Sequence, residues 1–249
     1  MSAYYEPLGG GRFRSDPSCA GPWSADDQHG GPPSALLAGA LEATGSRDDM
    51  MLARLTVEIL GPIKIDEVTV ETRVSRPGRR VERVEGTLTQ AGRPVLAASA
   101  WRITRTQLST PLPEAPPIPA DRDLEGTTNY LGSVEWAPIS GRFGEPGPCL
   151  MWTRLRGQVV AGEELSPLQR VVAVADSGNG ISSVFPLATT WFINPELTVH
   201  LHREAVGEWI LLDAETVASE GGVGLASTVL SDERGRLGRG AQALLIAPR

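Results

Sequence analysis

Leu55-Thr-Val57 returns 142 positions later as Leu197-Thr-Val199, and the match between the two regions extends beyond these residues. At the same offset and without a gap, apolar residues coincide: Val68 falls on Ile210, Val70 on Leu212 and Leu88 on Leu230. With a one-residue gap, the turn Gly92-Arg93 falls on Gly235-Arg236. A repeat of this length indicates two copies of one structural unit.

Each copy begins with a predicted helix. Residues 35–43 are rich in Ala and Leu, which favour helix; Ser34 or the pair Pro32-Pro33 suits its first turn, and Gly45 suits its end. The apolar residues of this segment lie nearly all round it, so the helix should be buried. Ser166-Pro167 suits the start of the second helix, which we expect to run to about residue 177.

Strands follow each helix, because apolar and polar residues alternate along the chain. Asp66–Val74 alternates strictly, and the turns Ala91-Gly92-Arg93 and Glu233-Arg-Gly235 predict hairpins. Further strands are predicted at 55–60, 81–90, 94–103, 152–160, 197–203, 208–217, 223–231 and 236–246, with one short strand within 1–28. One helix with an antiparallel sheet in each copy gives an α+β fold.

A proline-rich stretch separates the two copies. Residues 107–147 lack periodicity and contain Thr110-Pro-Leu-Pro-Glu-Ala-Pro-Pro-Ile-Pro119. We therefore predict an N-terminal unit at 1–106, a linker at 107–147 and a C-terminal unit at 148–249.

The composition excludes several classes of function. The 249 residues include 23 basic and 30 acidic side chains, a formal net charge of −7, so no general nucleic-acid surface is expected. No apolar run approaches the roughly 20 residues that span a bilayer, and residues 1–13 lack a signal-peptide pattern. With Cys19 and Cys149 as its two cysteines, the chain is expected to be cytoplasmic and free of disulfides.

Several motifs, taken in order, resemble the type II acyl-CoA thioesterases of the thioesterase-like superfamily. They are His29-Gly-Gly31; Leu55-Thr-Val-Glu-Ile-Leu-Gly-Pro62; Gln90-Ala-Gly-Arg-Pro-Val95 before Trp101; Ala173-Val-Ala-Asp176; Asn194-Pro-Glu-Leu-Thr198; Gly207-Glu-Trp209; and Asp232-Glu-Arg-Gly235 leading to Gln242. The resemblance implies a double hotdog: two tandem units, each with an antiparallel sheet wrapped around one central helix. It also implies hydrolysis of an acyl-CoA or acyl-carrier thioester without a cofactor, by a homo-oligomer.

Three polar positions carry the activity in that family: an Asp on the second helix, a polar residue opening the next strand and a Gln on the last strand. Asp176 and Gln242 match the first and the third position. Asn194 falls where the type II enzymes carry Thr, and Thr198 lies further along the strand. The resemblance therefore assigns catalysis to Asp176 and Gln242, with Asn194 or Thr198 as the third polar residue.

Thioester hydrolysis needs a base for the attacking water and donors for the oxyanion. A carboxylate within hydrogen-bond reach can take the proton, so Asp176 is the candidate base. The amides of Gln242 and Asn194 can hold the water, because amides both donate and accept. N–H groups at a helix start can stabilise the oxyanion.

The start of the first helix is the expected substrate contact. Gly30 and Gly31 have no side chain to block a substrate carbonyl, and His29 either contacts the substrate or bonds to the helix entry. His200 and His202 share a strand face but have no third ligand nearby, so no metal site is predicted.

Two other functions remain open. Hotdog proteins that hydrate or dehydrate acyl thioesters use an Asp/His pair, and the sequence suggests no His beside Asp176. A non-catalytic module that binds acyl groups or small molecules would fit Asn194 in the place of Thr. Because the first helix has no acid before Glu42, we also expect that one of two pseudo-symmetric sites has been lost.

Overall fold

The computed structural model describes residues 3–111, 113–120 and 128–249. Its strands are β1 (Tyr5–Gly9), β2 (Arg12–Ser15), β3 (Met50–Ile59), β4 (Glu67–Arg76), β5 (Val81–Gln90), β6 (Arg93–Thr104), β7 (Val134–Ser140), β8 (Cys149–Leu155), β9 (Thr190–Ile193), β10 (Glu196–Leu201), β11 (Ile210–Ala218), β12 (Val223–Asp232) and β13 (Gly235–Pro248). The helices are α1 (Gly31–Ala43), α2 (Pro167–Ala175) and α3 (Gly178–Ile181), and short 3-10 turns lie at Pro17–Cys19 and Tyr130–Ser133.

All of these strands belong to one antiparallel sheet. Their order is β1-β2-β4-β5-β6-β3-β10-β13-β12-β11-β8-β7, and β9 pairs with β13. The two halves of the chain join where β3 lies beside β10. At that junction Thr56 is opposite Thr198, and their Oγ1 atoms are 3.1 Å apart. These threonines are equivalent positions of the repeat, so a pseudo-twofold axis passes through this pair.

The helices cover one face of the sheet, called here the inner face. α1 packs against β3, β4, β5 and β6 and against α2; α2 contacts β8, β10 and β11, and α3 contacts β11, β12 and β13. The main core lies between the helices and this face, and it includes Leu37, Val84 and Leu197. The predicted burial of the first helix is confirmed, because Leu36, Leu37 and Leu41 are all buried.

The predicted helix boundaries agree with the structure except at the end of the second helix. Ser166 caps α2 through a reciprocal capping box with Gln169, and α1 ends just before Gly45, which has φ +52°. α2 stops at Ala175 rather than at residue 177. Asp176-Ser177 forms a turn into α3, so the C-terminal unit has two helical segments where one was predicted.

The segment predicted as a linker is partly structured. Within 107–147, a 3-10 turn and then β7 precede β8, and β7 pairs with β8 in the C-terminal half of the sheet. Two adjacent residues of β7 are buried on opposite sides of the sheet, Trp136 in the main core and Ala137 in a cluster with linker residues, so the strand shows no simple alternation. Leu112 and residues 121–127 of the predicted linker lie outside the described residues.

Short strands at the sheet edges were also missed by the pattern. The N-terminal region forms the hairpin β1–β2 instead of one strand, and β9 was not predicted. Each of these strands has five residues or fewer, which is too short for a periodic pattern to stand out.

A buried ion pair holds the end of α1 against the sheet. The side chains of Arg102 and Glu82 are 3% and 7% exposed, and the pair is joined at 3.1 Å. The Arg102 guanidinium also donates to the carbonyls of Leu41, Thr44 and Gly45 at the end of α1. It therefore satisfies carbonyls that have no partner within the helix.

Replacing Arg102 with Leu should strongly lower the free energy of unfolding, because Glu82 becomes a buried, unpaired charge. Losing one partner of a buried pair costs about 3–5 kcal/mol, which urea unfolding followed by circular dichroism can measure. Arg73→Leu is the matched control, since its side chain is 75% exposed in an ion pair with Glu85 and should cost less than about 1 kcal/mol. Equal losses in the two variants would contradict the role of Arg102.

Candidate active site

Asp176 is buried directly after α2, where it is 3% exposed. Its Oδ1 accepts a hydrogen bond from Nδ2 of Asn194 at 2.8 Å and another from Nε2 of Gln242 at 3.4 Å. The same Nε2 donates to the main-chain carbonyl of Asp176 at 3.1 Å. Two amide side chains therefore hold one oxygen of the carboxylate, and the structure brings the three predicted residues together.

The sheet positions both amides. Gln242 lies on the inner face of β13, and its Oε1 accepts from the N–H of Asn179 on α3 at 3.1 Å. Asn194 lies between β9 and β10, both of which pair with β13. At the start of β10, the Glu196 carboxylate accepts the N–H of Ala243 on β13 at 2.8 Å, in place of a main-chain carbonyl. Asn194 thus lies in the short interruption between β9 and β10, and the pairing of both strands with β13 fixes its position.

Asn179 is a member of this cluster that the sequence did not reveal. Besides its main-chain bond to Gln242, its Nδ2 donates to Oδ1 of Asn194 at 3.4 Å. Ser177-Gly-Asn-Gly180 has the composition of a helix end, so no sequence signal separated Asn179 from an ordinary turn residue.

The start of α1 packs against the same carboxylate. A Cβ on Gly30 would lie 2.7 Å from Oδ2 of Asp176, and a Cβ on Gly31 would lie 2.2 Å from the carbonyl oxygen of Ala173. The space on the Cβ side of both glycines is therefore filled by protein, and a contact of these glycines with a substrate carbonyl stays a prediction. A helix start carries positive partial charge and stabilises a carboxylate placed there.

Few main-chain donors remain at this helix start. Pro32 and Pro33 occupy the first turn of α1 and have no N–H, and the N–H of Gly31 donates to Nδ1 of His29 at 3.0 Å. The predicted oxyanion donors are thus reduced to the N–H of Gly30.

His29 links the helix entry to the carboxylate. Nδ1 accepts from Gly31 and lies 3.4 Å from Oδ2 of Asp176. Because Nδ1 accepts a hydrogen bond, we infer that the neutral ring carries its proton on Nε2. Burial lowers the pKa of His29, while the charge of Asp176 acts in the opposite direction. The expectation that no His stands beside Asp176 is therefore wrong.

Tyr130, from the segment predicted as a linker, supports His29. The two rings are stacked, with centroids 3.8 Å apart and planes inclined by 6°. The Tyr130 hydroxyl donates to the carbonyl of Ala173 at 2.8 Å and lies 2.9 Å from Oγ of Ser177. Burial raises the pKa of Tyr130 well above its usual range, so the hydroxyl stays protonated. The flanking sequence has no periodicity that points to this residue.

Thr198 does not belong to the site. Its neighbours Leu197 and Val199 face the core, so its own side chain lies on the opposite face of the sheet. There its hydroxyl donates to the Glu196 carboxylate at 3.0 Å and contacts Thr56. Of the two candidates for the third polar residue, the structure places only Asn194 at Asp176.

The N-terminal half lacks the corresponding amides. At the offset of the repeat, Asn194 and Gln242 correspond to Leu52 and Ala100, which are buried and cannot form side-chain hydrogen bonds. Glu42 on α1 instead accepts the hydroxyl of Ser166 at 2.5 Å. The Asp–Asn–Gln set thus lies in the C-terminal half and meets α1 of the N-terminal half.

Comparisons with known proteins show the family. Residues 19–103 match the model of the acyl-CoA thioesterase N-terminal domain, and residues 112–246 match that of the acyl-CoA thioesterase C-terminal domain. The chain belongs to the acyl-CoA thioesterase family. Its enzymatic class is therefore thioester hydrolase, as the sequence resemblance implied. No curated protein gave a significant sequence match.

Solved structures show the fold of this thioesterase. A protein assigned as a thioesterase II from Thermobifida fusca has a TM-score of 0.75 at 20% identity, over 98% of this chain and 95% of that one. A hot dog fold protein from Alicyclobacillus acidocaldarius has a TM-score of 0.73 at 16% identity, over 98% of this chain and 95% of that one. The tesB protein of Mycobacterium avium has a TM-score of 0.71 at 19% identity, over 98% of this chain and 96% of that one. At these identities the likeness concerns the fold, and it fits the predicted double hotdog.

Among residues 3–111, 113–120 and 128–249, no helix has the length and apolar character needed to cross a membrane. The same residues contain no group of three or more His, Cys, Asp and Glu arranged to hold a metal ion.

Gly30→Ala should impair this thioesterase, because the new Cβ would displace the Asp176 carboxylate. A displacement of about 1 Å at a reacting group can lower kcat by about 100-fold, which acyl-CoA hydrolysis followed by thiol release can measure. Gly61→Ala is the matched control, since its Cβ would meet nothing within 4 Å. Wild-type rates in a folded Gly30→Ala variant would show that the contact does not position the carboxylate.

Proposed function

We propose that this thioesterase hydrolyses acyl-CoA or acyl-carrier thioesters by general-base catalysis, with Asp176 activating the water. The main support is the unequal environment of the two carboxylate oxygens. Asn194 and Gln242 donate to Oδ1, whereas Oδ2 faces His29 and Gly30 at the start of α1. The first oxygen orients the carboxylate, and the second accepts a proton from water.

The reaction then follows from the chemistry of the thioester. Water attacks the carbonyl carbon and transfers a proton to Oδ2 of Asp176. The tetrahedral oxyanion collapses, the C–S bond breaks, and Asp176 returns the proton to the departing thiolate. The products are a carboxylic acid and a free thiol, and no cofactor takes part.

The oxyanion needs donors, and two groups beside Asp176 can supply them. One is the N–H of Gly30 at the start of α1, and the other is Nε2–H of His29. The stacked ring of Tyr130 holds the His29 ring in one plane, so this donor needs little reorganisation during the reaction. Burial of His29 favours its neutral form, which keeps Nδ1 free to accept the N–H of Gly31.

Hydration of an acyl thioester is the second candidate, and one contact favours it. His29 and Asp176 form the Asp/His pair that such a reaction uses, with Nδ1 and Oδ2 3.4 Å apart. Nδ1 already accepts the N–H of Gly31, however, and two amides hold the carboxylate. This arrangement suits a carboxylate acting alone as the base, so we rank hydration below hydrolysis.

Asp176→Asn should lower kcat for acyl-CoA hydrolysis by about 10²–10⁴-fold, because an amide cannot take the proton from water. Substrate binding should be retained, since the side chains have the same shape. Thiol release with acyl chains of several lengths and calorimetric binding separate these effects. Asp213→Asn, an exposed acid on β11, is the matched control and should keep the wild-type rate.

The same assays distinguish the alternatives. Unchanged hydrolysis in Asp176→Asn would refute its role as the base. A wild-type enzyme that hydrates a trans-2-enoyl-CoA faster than it hydrolyses acyl-CoA would make hydration the better assignment. Tight acyl-CoA binding without turnover at any chain length would indicate a binding protein.

Asn194→Ala and Thr198→Val should have opposite outcomes. Loss of the Asn194 amide frees the Asp176 carboxylate to rotate, and kcat should fall by about 10–100-fold. Thr198 lies on the other face of the sheet, so its variant should retain the wild-type kcat and KM. A larger loss in Thr198→Val than in Asn194→Ala would reverse the assignment of the third polar residue.

A further inference from the structure

Asn179 on α3 contacts both amides that hold the Asp176 carboxylate. Its main-chain N–H donates to Oε1 of Gln242 at 3.1 Å, and its side-chain Nδ2 donates to Oδ1 of Asn194 at 3.4 Å. The nitrogen of each amide points the other way, toward Oδ1 of Asp176. One residue therefore supplies a hydrogen bond to the oxygen of each amide whose nitrogen donates to the carboxylate.

The direction of an amide side chain decides whether it can donate to the carboxylate. The oxygen and nitrogen ends have nearly the same shape, so a half-turn of the terminal group exchanges a donor for an acceptor. In the reversed orientation, Oδ1 of Asn194 would face the carboxylate of Asp176, and two acceptors would meet. The Asn179 donor at the oxygen end opposes this reversal, as does the main-chain carbonyl of Glu196, which lies 3.3 Å from Nδ2 of Asn194.

The packing of α3 against the sheet fixes the position of Asn179, which is 7% exposed. A Cβ on Gly178 would lie 2.5 Å from Oγ1 of Thr228 on β12, so α3 approaches the strand as closely as a glycine allows. The hydroxyl of Ser182 donates to the carbonyl of Gly178 at 2.8 Å and lies 2.7 Å from Oγ1 of Thr216 on β11. Asn179 is therefore a rigid donor beside the two amides.

We propose that Asn179 is a positioning residue for hydrolysis, whose side chain keeps the Asn194 amide in the orientation that donates to Asp176. The inference rests on the proposed role of Asp176 as the base. It also accounts for the difference from the type II enzymes, which carry Thr in the place of Asn194. A hydroxyl can rotate to donate without a further partner, whereas an amide needs one at its oxygen.

The two contacts of Asn179 can be separated by mutation, because one of them is made by the main chain. Asn179→Ala keeps the N–H that binds Gln242 and removes only the donor to Asn194. The Asn194 amide is still present and can still donate for part of the time. The effect should therefore be smaller than that of Asn194→Ala.

Steady-state hydrolysis of acyl-CoA, followed by thiol release, measures the effect. Asn179→Ala should lower kcat by on the order of tenfold, with KM little changed, because residues in one hydrogen-bond network couple by this amount. Ser183→Ala is the matched control and should keep the wild-type kcat. It removes a buried hydroxyl four residues along the same segment, and Oγ of Ser183 has no hydrogen-bond partner among the residues that the structure describes. Circular dichroism verifies that each variant is folded.

A double-mutant cycle shows whether Asn179 acts through Asn194. When Asn194→Ala is already present, adding Asn179→Ala should lower kcat by less than about twofold, because the amide that it orients is gone. The same small effect is expected when Asn194→Thr is present, because a hydroxyl needs no orienting partner. A purely structural role of Asn179 in α3 would instead give the same fold-loss in all three backgrounds.

Three results would overturn the proposal: a wild-type kcat in Asn179→Ala, an equal loss with and without the Asn194 amide, or a loss confined to KM. If the alanine variant does not fold, Asn179→Leu takes its place in the same cycle, since leucine keeps the size and branching of the side chain.

Asp176→Asn, measured in parallel, separates this inference from the proposed function. Unchanged hydrolysis in Asp176→Asn would refute the base and this inference with it. A slow Asp176→Asn beside an Asn179→Ala variant with wild-type kcat would refute only the role of Asn179.

Discussion

The start of α1 lies directly on the end of α2, and the rest of the site depends on this contact. Any side chain on Gly31 would collide with the main-chain carbonyl of Ala173. The same approach brings His29 and Gly30 from the N-terminal half to Asp176 from the C-terminal half. Neither half alone contains both the carboxylate and the helix start, so the site exists only in the assembled chain.

The strand order supplies the remaining partners of the carboxylate. β13 carries Gln242 on its inner face and also pairs with β9 and β10, the two strands that flank Asn194. One strand therefore sets the distance between the two amides. The amides in turn donate to one oxygen of Asp176, so this side chain at the end of a helix is held by residues of the sheet.

Local sequence patterns predicted the strands in which apolar and polar residues alternate and the turns that contain glycine. β5 has the predicted bounds, and the hairpin at Ala91-Gly92 has the positive φ angles that such a tight turn requires. β7 was missed because its buried residues, Val134, Trp136 and Ala137, do not alternate strictly with exposed ones. Asp176, Asn194 and Gln242 followed from the family resemblance, and the structure confirms their proximity. The stacking of Tyr130 on His29 and the pairing of His29 with Asp176 join distant segments, which no local signal records.

The pairing of β3 with β10 also has a consequence for synthesis on the ribosome. Thr56 and Thr198 are 142 residues apart, and one side of β3 has no strand partner until β10 has been made. At the usual pace of translation, that interval is on the order of ten seconds. During this time an unpaired strand edge is open to other nascent chains, which favours aggregation. Joining the two units in one chain thus fixes their stoichiometry, while the edge of β3 waits for a partner strand that is made 142 residues later.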